Sequence, residues 1–209
     1  MEGAVRGRRV LCFRARLAGV VPASSPRLFP LFLKLEGRRV LVVGAGPVAE
    51  RKVFALLEAG ARVCIVAPDA TEVLQRAAAE GRVEWLPRPF EGGDVEGARL
   101  VFAATSDPEV QRTASLAAEE RGIFVVAVDD PPNATAYSGA VVDRRPFLIA
   151  ISSSGTAPAL TRLLRDVVEE MLPNDDVVQK AERLRATWRQ ENRPMGDRFR
   201  ELVRVLAGR

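Results

Sequence analysis

An α/β fold built on a parallel sheet is predicted by three observations. Five short apolar runs lie between residues 38 and 128. Segments with helical apolar spacing separate most of them, as βαβ units require. The first run ends in Gly44-Ala45-Gly46-Pro47-Val48-Ala49 and enters a helix with no intervening loop.

That first run, Arg38 to Val43, is dominated by Val and Leu and reads as a buried strand. Gly44 allows a tight turn, Gly46 leaves room for a pyrophosphate at the backbone, and the small Ala49 lets the helix pack close to the strand. The helix start adds unpaired N–H groups and partial positive charge. Strand, glycine turn and helix together are the context of a dinucleotide fingerprint. A glycine pair alone would equally serve a turn without ligand. The helix runs on through Val53, Leu56 and Leu57 and closes at Ala59-Gly60.

The second strand, 62–66, ends in Ala67-Pro68-Asp69. An NAD site places an acidic residue here, about 20 residues after the glycines, to bond the ribose 2′-hydroxyl. Asp69 arrives late, behind a proline, so NAD is the preferred cofactor and NADP stays open. Arg62 sits at the wrong end of the strand to meet a 2′-phosphate. A helix over 70–80, a short strand over 83–86 and a loop rich in Pro and Gly follow. The fourth strand, 100–104, runs into Thr105-Ser106-Asp107-Pro108, where hydroxyls at a strand end meet ligands and Ser106 or Asp107 also suits an N-cap. A helix over 109–120 leads to the fifth strand, 123–128, which ends in Asp129-Asp130-Pro131-Pro132-Asn133. This repetition is Rossmann-like and assigns residues 28–136 to one domain, with Arg27 to Leu35 as an extended lead-in packed on the sheet.

The pattern then changes. Residues 137–143 and 146–152 read as a hairpin joined at Arg144-Arg145-Pro146. Ser152-Ser153-Ser154-Gly155-Thr156-Ala157-Pro158 leads into a helix over 158–171 with Leu160, Leu163, Leu164, Val167, Val168 and Met171 on a wide apolar face. Residues 137–172 are thus a small strand-helix element whose apolar face suits a two-fold dimer. Two more helices, about 175–191 and 197–207, make residues 173–209 a C-terminal helical domain.

Composition narrows the function. The chain has 209 residues, is 47% hydrophobic and carries 31 Lys and Arg against 27 Asp and Glu, a net charge of +4. This suits an acidic ligand, and without a basic block interleaved with aromatics nucleic-acid binding is not expected. Histidine is absent, which removes the commonest general base and metal ligand. The two cysteines, Cys12 and Cys64, are far apart and propose neither a disulfide framework nor a zinc site. No apolar run approaches a membrane span, and a reducing cytoplasm is the expected compartment. Residues 1–27, punctuated by Arg6, Arg8, Arg9, Arg14 and Arg16, read as a flexible N-terminal extension or an over-long start rather than a signal peptide.

From about residue 28 onward the chain resembles the precorrin-2 dehydrogenase / sirohydrochlorin ferrochelatase family, which includes the N-terminal module of siroheme synthase. The resemblance rests on Phe29-Pro30-Leu31-Phe32, Gly44 to Lys52, Ala103-Ala104-Thr105-Ser106-Asp107, Val128-Asp129-Asp130-Pro131 and Ser152 to Pro158. The Gly-x-Gly-x-Val-Ala-x-Arg-Lys run paired with the Ser-Gly-Thr-x-Pro loop is specific. The resemblance implies NAD-dependent oxidation of precorrin-2 to sirohydrochlorin, in some members followed by Fe²⁺ insertion, by a homodimer with a central dimerisation element. It implies a catalytic aspartate at Asp129, and cofactor contacts at Pro47, Val48, Pro68 and Asp69 with Thr105 nearby. The Ser153, Ser154, Gly155 and Thr156 loop is the expected substrate contact, and Ser153 matches a serine that is phosphorylated in one branch. Two departures stand out. Val126 replaces an asparagine of the siroheme synthase branch, and Asp130 adds a second carboxylate beside the first. The methyltransferase module of the fused enzyme is missing, so precorrin-2 is expected from another protein.

Precorrin-2 is a polycarboxylate, which arginine forks hold well. Arg144 and Arg162 are the leading candidates, with Arg145 and Arg165 beside them; each also reads as an ordinary solvated side chain. Asp129 is the candidate base, or else a brace for the Pro131-Pro132 turn. Metal ligands are not predicted: oxygen donors alone would hold Fe²⁺ with little selectivity. The rival from another class is a non-catalytic NAD-sensing or tetrapyrrole-carrier protein, which would keep the glycines and need no acid at Asp129.

Overall fold

The computed structural model describes residues 27–173 and 175–206. The expected leader falls almost wholly outside these residues. Residues 27–30 carry no regular element, and the chain from Leu31 onward forms one compact unit.

Within that unit the five apolar runs become parallel strands: β1 (Arg39–Val43), β2 (Arg62–Val66), β3 (Glu84–Leu86), β4 (Leu100–Ala103) and β5 (Phe124–Ala127). Their order across the sheet is β3-β2-β1-β4-β5, so the order reverses beside β1, where open α/β sheets bind ligands at their carboxyl ends. Helices α1 (Pro47–Glu58), α2 (Glu72–Ala79) and α3 (Pro108–Glu119) make three of the four crossovers, and a loop with a 3₁₀ turn, Gly92–Val95, joins β3 to β4. Successive strand residues face opposite layers. Val40, Val42, Val63, Ile65 and Phe102 pack with Ala49, Val53, Leu56 and Leu74 on one side. Leu41, Val43, Cys64, Val66, Val101 and Val125 pack with Ala114 and Ala118 on the other. Burying each large side chain contributes about 1.5–3 kcal/mol, and coverage on both faces explains why the strands read as unbroken apolar runs.

The lead-in differs from expectation. Of Leu31, Phe32, Leu33 and Leu35, only Leu35 enters the core; the other three are exposed. The physical reason is local: Arg38 N–H bonds the Leu35 carbonyl and Gly37 N–H bonds the Gly60 carbonyl, so the turn before β1 anchors Leu35 alone.

After β5 a 3₁₀ turn, Pro131–Asn133, reverses the chain. Thr135 and Ala136 then pair back onto Val125, with the Thr135 hydroxyl accepting from Val125 N–H at 2.8 Å. This covers the free edge of β5. The hairpin β6 (Ala140–Arg144) and β7 (Phe147–Ile151) is antiparallel, with Ala140 opposite Ile151 and Arg144 opposite Phe147. Helix α4 (Pro158–Met171) packs on β6, and α5 (Asp175–Gln190) pairs with α6 (Met195–Leu206). Glu201 joins the last two helices: it accepts from the buried Trp188 indole at 2.7 Å and from Arg193.

Candidate functional site

The glycine turn is built as its spacing requires. Gly44 has φ +102, and a Cβ there would lie 2.5 Å from the Ala104 carbonyl oxygen. Gly44 is therefore needed for the close passage of the β1 and β4 exits. Gly46 is different: a Cβ there would meet nothing within 4 Å. It is the N-cap of α1 and offers no side-chain cap, and Pro47 follows at the first helical position. The helix start is left open on the side where a phosphate would approach, and Val48 lies beside it. These residues fit a dinucleotide pyrophosphate.

Pro68 and Asp69 sit exposed in the loop after β2. Thr105 lies just past β4, its hydroxyl accepting from Asp107 N–H at 3.2 Å. Asp107 is the N-cap of α3 and accepts from Glu109 and Val110 N–H. Of the two cap candidates, the carboxylate takes the role.

A cleft of about 700 Å³ opens past the end of β5. Asp129, Ser153, Gly155 and Arg162, four of the predicted residues, share its wall with Arg51, Lys52 and Tyr137. Asp129 and Asp130 divide two jobs that the sequence left undivided. Asp130 accepts from the Asn133 side chain at 2.7 Å and so holds the Pro131-Pro132 turn. Asp129 takes a left-handed backbone with φ 57, a conformation Asp tolerates better than most residues. Among the described residues no hydrogen bond or ion pair engages its exposed carboxylate.

The Ser153 hydroxyl is committed to its own loop: it accepts from Ala157 N–H at 3.1 Å and from the buried Thr161 hydroxyl at 2.9 Å. Thr156 donates to the Ser153 carbonyl at 2.6 Å, and Ser154 has φ 54. Neither Ser154 nor Thr156 lines the cleft. Arg144 also lies apart from it, reaching the Glu169 carbonyl at 3.5 Å. Arg165 lines the cleft but pairs with Asp166. Arg51, Lys52 and Arg162 carry no ion pair among the described residues.

The sequence reading missed Lys52 as a site residue. Its ammonium donates to the Ser138 hydroxyl at 3.0 Å across 86 residues. Burial, and then the Arg51 charge, hold its pKa below the usual lysine value. Gln111 was missed as well. It is buried on α3 and donates to the Val128 carbonyl at 3.0 Å, one residue before Asp129. A lone glutamine spaced among Ala114 and Ala118 was the available signal.

A family model described as "Putative NAD(P)-binding" matches residues 31–140. Siroheme synthase of Methylobacillus flagellatus is 46% identical over 144 residues, which are 69% of this chain and 31% of that protein. Siroheme synthase 1 of Aeromonas salmonicida is 40% identical over 180 residues, 85% of this chain and 38% of that protein. The chain thus spans about a third of the length of these curated relatives. Among solved structures, SirC, a precorrin-2 dehydrogenase, superposes with a TM-score of 0.70 over 85% of this chain and 89% of its own, at 22% identity. That likeness shows a shared fold.

Proposed function

The chain belongs to the NAD(P)-binding family whose model spans residues 31–140, and from that premise we propose that it oxidises precorrin-2 to sirohydrochlorin with NAD⁺. The names of the relatives motivate the substrate. The observation that carries the reading is the pairing of one unengaged carboxylate, Asp129, with the cations Arg51, Lys52 and Arg162 in a single cleft. Its wall is shared by α1, the helix that begins at the glycine turn.

Gly46, Pro47 and Val48 would hold the pyrophosphate, Asp69 the ribose, and Thr105 the face beside β4. The bound nicotinamide supplies the hydride acceptor. Arg51, Lys52 and Arg162 hold the substrate carboxylates by charge-assisted hydrogen bonds and orient the macrocycle. Asp129 takes up the proton released as the macrocycle loses its hydride; a carboxylate with no protein partner is free to do so. Ser153 and Gly155 contribute to the cleft wall, with Gly155 approaching Pro131 and Tyr137. Arg144 acts on the hairpin rather than on the substrate.

We read residues 28–136 as the dinucleotide domain, 137–172 as a dimerisation element and 173–209 as a helical domain. The α4 stripe of Leu160, Leu163, Leu164, Val167 and Met171 is exposed, and a second copy would cover it by two-fold pairing. The free, buried Cys64 suits a reducing cytoplasm, and among the described residues no helix is long and apolar enough to cross a membrane. Fe²⁺ insertion, which the resemblance implies for some members, is the second activity proposed for the same cleft. Among the described residues no three His, Cys, Asp or Glu side chains are grouped to hold a metal, so the macrocycle itself would supply most ligands. Anaerobic sirohydrochlorin with Fe²⁺ tests it: a rate no greater than the spontaneous one removes chelation.

Asp129→Asn tests the central assignment, because asparagine also tolerates the left-handed backbone. The variant should bind NADH normally and lose most turnover. Normal oxidation of precorrin-2 by it would exclude Asp129 as the base.

A further inference from the structure

Glu50 looks like ordinary helix surface, yet its carboxylate bonds a side chain 21 residues further along the chain. It lies in the first turn of α1. Its carboxylate accepts from the Thr71 hydroxyl at 2.7 Å. That hydroxyl in turn accepts from Leu74 N–H at 3.3 Å and caps α2. Thr71 N–H also donates to the Ala45 carbonyl at 3.1 Å, inside the glycine turn. The far end of the same loop is fixed too: the Ala67 carbonyl accepts from the Trp85 indole at 3.1 Å, and Ala67 N–H donates to the Leu86 carbonyl. Ala70 is held by the Gln75 side chain at 2.8 Å. Pro68 and Asp69 are thus suspended between two anchored ends, and among the described residues the Asp69 side chain has no partner.

We infer that Glu50 is a positioning residue for dinucleotide recognition: through Thr71 it fixes the Pro68-Asp69 loop against the glycine turn, so that the ribose and pyrophosphate contacts are preset relative to each other. The inference rests on the NAD reading above. It also accounts for an electrostatic oddity. A carboxylate in the first turn of a helix gains from the helix dipole, yet it opposes by charge a pyrophosphate received at the same helix start. Its charge is tolerated because the carboxylate is turned sideways onto a hydroxyl donor, where it serves geometry rather than binding. A late Asp69 behind a proline also becomes workable, since loop anchoring replaces strand position in setting where the carboxylate stands.

The experiment is NADH titration, followed by fluorescence, on the full chain carrying substitutions that separate the bond from the cap and from the charge. Thr71→Asp keeps a cap for Leu74 N–H but cannot donate to Glu50. Thr71→Asn keeps the cap and a donor. Glu50→Gln keeps an acceptor for Thr71. The double variant Glu50→Gln/Thr71→Asp restores the bond with its direction reversed, at the same net charge as the wild type. Loss of one charge-assisted hydrogen bond corresponds to roughly tenfold in affinity. Thr71→Asp should therefore raise the NADH dissociation constant about tenfold, while Thr71→Asn, Glu50→Gln and the double variant stay within about twofold of wild type. The helix content of all four should match the wild type. Glu50→Ala gives an independent loss, about fivefold to tenfold, with kcat at saturating NAD⁺ little changed.

Wild-type affinity in both Glu50→Ala and Thr71→Asp overturns the inference, as does a double variant no better than Thr71→Asp alone. Should Glu50→Ala fail to fold, Glu50→Met decides in its place: it removes the same charge as Glu50→Gln but accepts no hydrogen bond, so an affinity equal to that of Glu50→Gln overturns the inference and a loss of about fivefold to tenfold supports it. A wild-type chain that binds no NADH refutes the underlying reading and the inference together, whereas binding that ignores all these changes refutes the inference alone.

Discussion

Gln111 donates its side-chain amide to the Val128 carbonyl at 3.0 Å, so a buried residue of α3 holds the backbone immediately before Asp129. The bonded carbonyl lies between Ala127, the last residue of β5, and the left-handed Asp129. Gln111→Leu leaves a part-buried carbonyl without its donor, which costs about 1–3 kcal/mol. The variant should lose thermal stability and turnover together, while its NADH affinity stays at the wild-type value. Glu at the same position gives a finer test: protonated, it can donate as the amide does, so turnover of Gln111→Glu should recover toward low pH. A flat pH response equal to that of Gln111→Leu would separate Gln111 from the positioning of Asp129.

The two glycines of the turn should fail in different ways. Gly44→Ala meets a positive φ and the Ala104 carbonyl at once. A β-carbon in that backbone region costs about 1–2 kcal/mol before the overlap is counted. For a domain of this size each kcal/mol moves Tm by about 2–4 °C, so the backbone cost alone lowers Tm by about 2–8 °C by calorimetry, and the overlap adds to that fall. Gly46→Ala has open space around it and should leave Tm nearly unchanged. Its methyl group instead stands where the pyrophosphate must approach, and NADH affinity should drop about tenfold or more. Equal stability losses in the two variants would contradict this division.

Lys52 links ionisation to folding and, in the proposed function, to substrate binding. Burial, with Arg51 adding to it, lowers the folded-state pKa below 10.5, whereas the unfolded value is unperturbed. Between the two values the unfolded chain binds the extra proton, so stability rises with pH across that window. Lys52→Met removes the buried charge and with it this slope. The variant's Tm relative to wild type should therefore be most favourable near neutral pH and should decline as pH approaches 10.5. In the same variant KM for precorrin-2 should rise while KM for NAD⁺ holds. A constant Tm difference across pH would show that Lys52 has the same proton affinity folded and unfolded.

The exposed α4 stripe predicts self-association. Leu163, 58% exposed, sits on a face that a solvated monomer helix would fill with polar residues. Leu163→Glu should shift sedimentation from dimer to monomer without changing the Rossmann-like unit. A wild-type chain that sediments as a monomer at every concentration would leave that stripe without its proposed partner.

Local pattern made the five strands and three crossover helices legible, because burial on both faces leaves unbroken apolar runs and the glycine turn marks its own helix start. The site was legible only in part. The roles of Glu50 and Lys52 depend on partners 21 and 86 residues away, and no local spacing encodes those distances. Asp129 and Asp130 are chemically identical neighbours. Only the positive φ at Asp129 and the Asn133 bond to Asp130 tell them apart. The lead-in was misjudged for a related reason: Leu31, Phe32 and Leu33 have core chemistry, but the turn at Gly37 anchors Leu35 and leaves the others exposed.

The central claim is tested most directly by absorbance at the NADH wavelength after precorrin-2 is added anaerobically to the purified chain with NAD⁺. The account predicts NADH formation in step with the appearance of sirohydrochlorin, and none with simple alcohols or hydroxy acids. NADH formation from those small substrates, or none from precorrin-2 by a chain that binds NAD⁺, would contradict it.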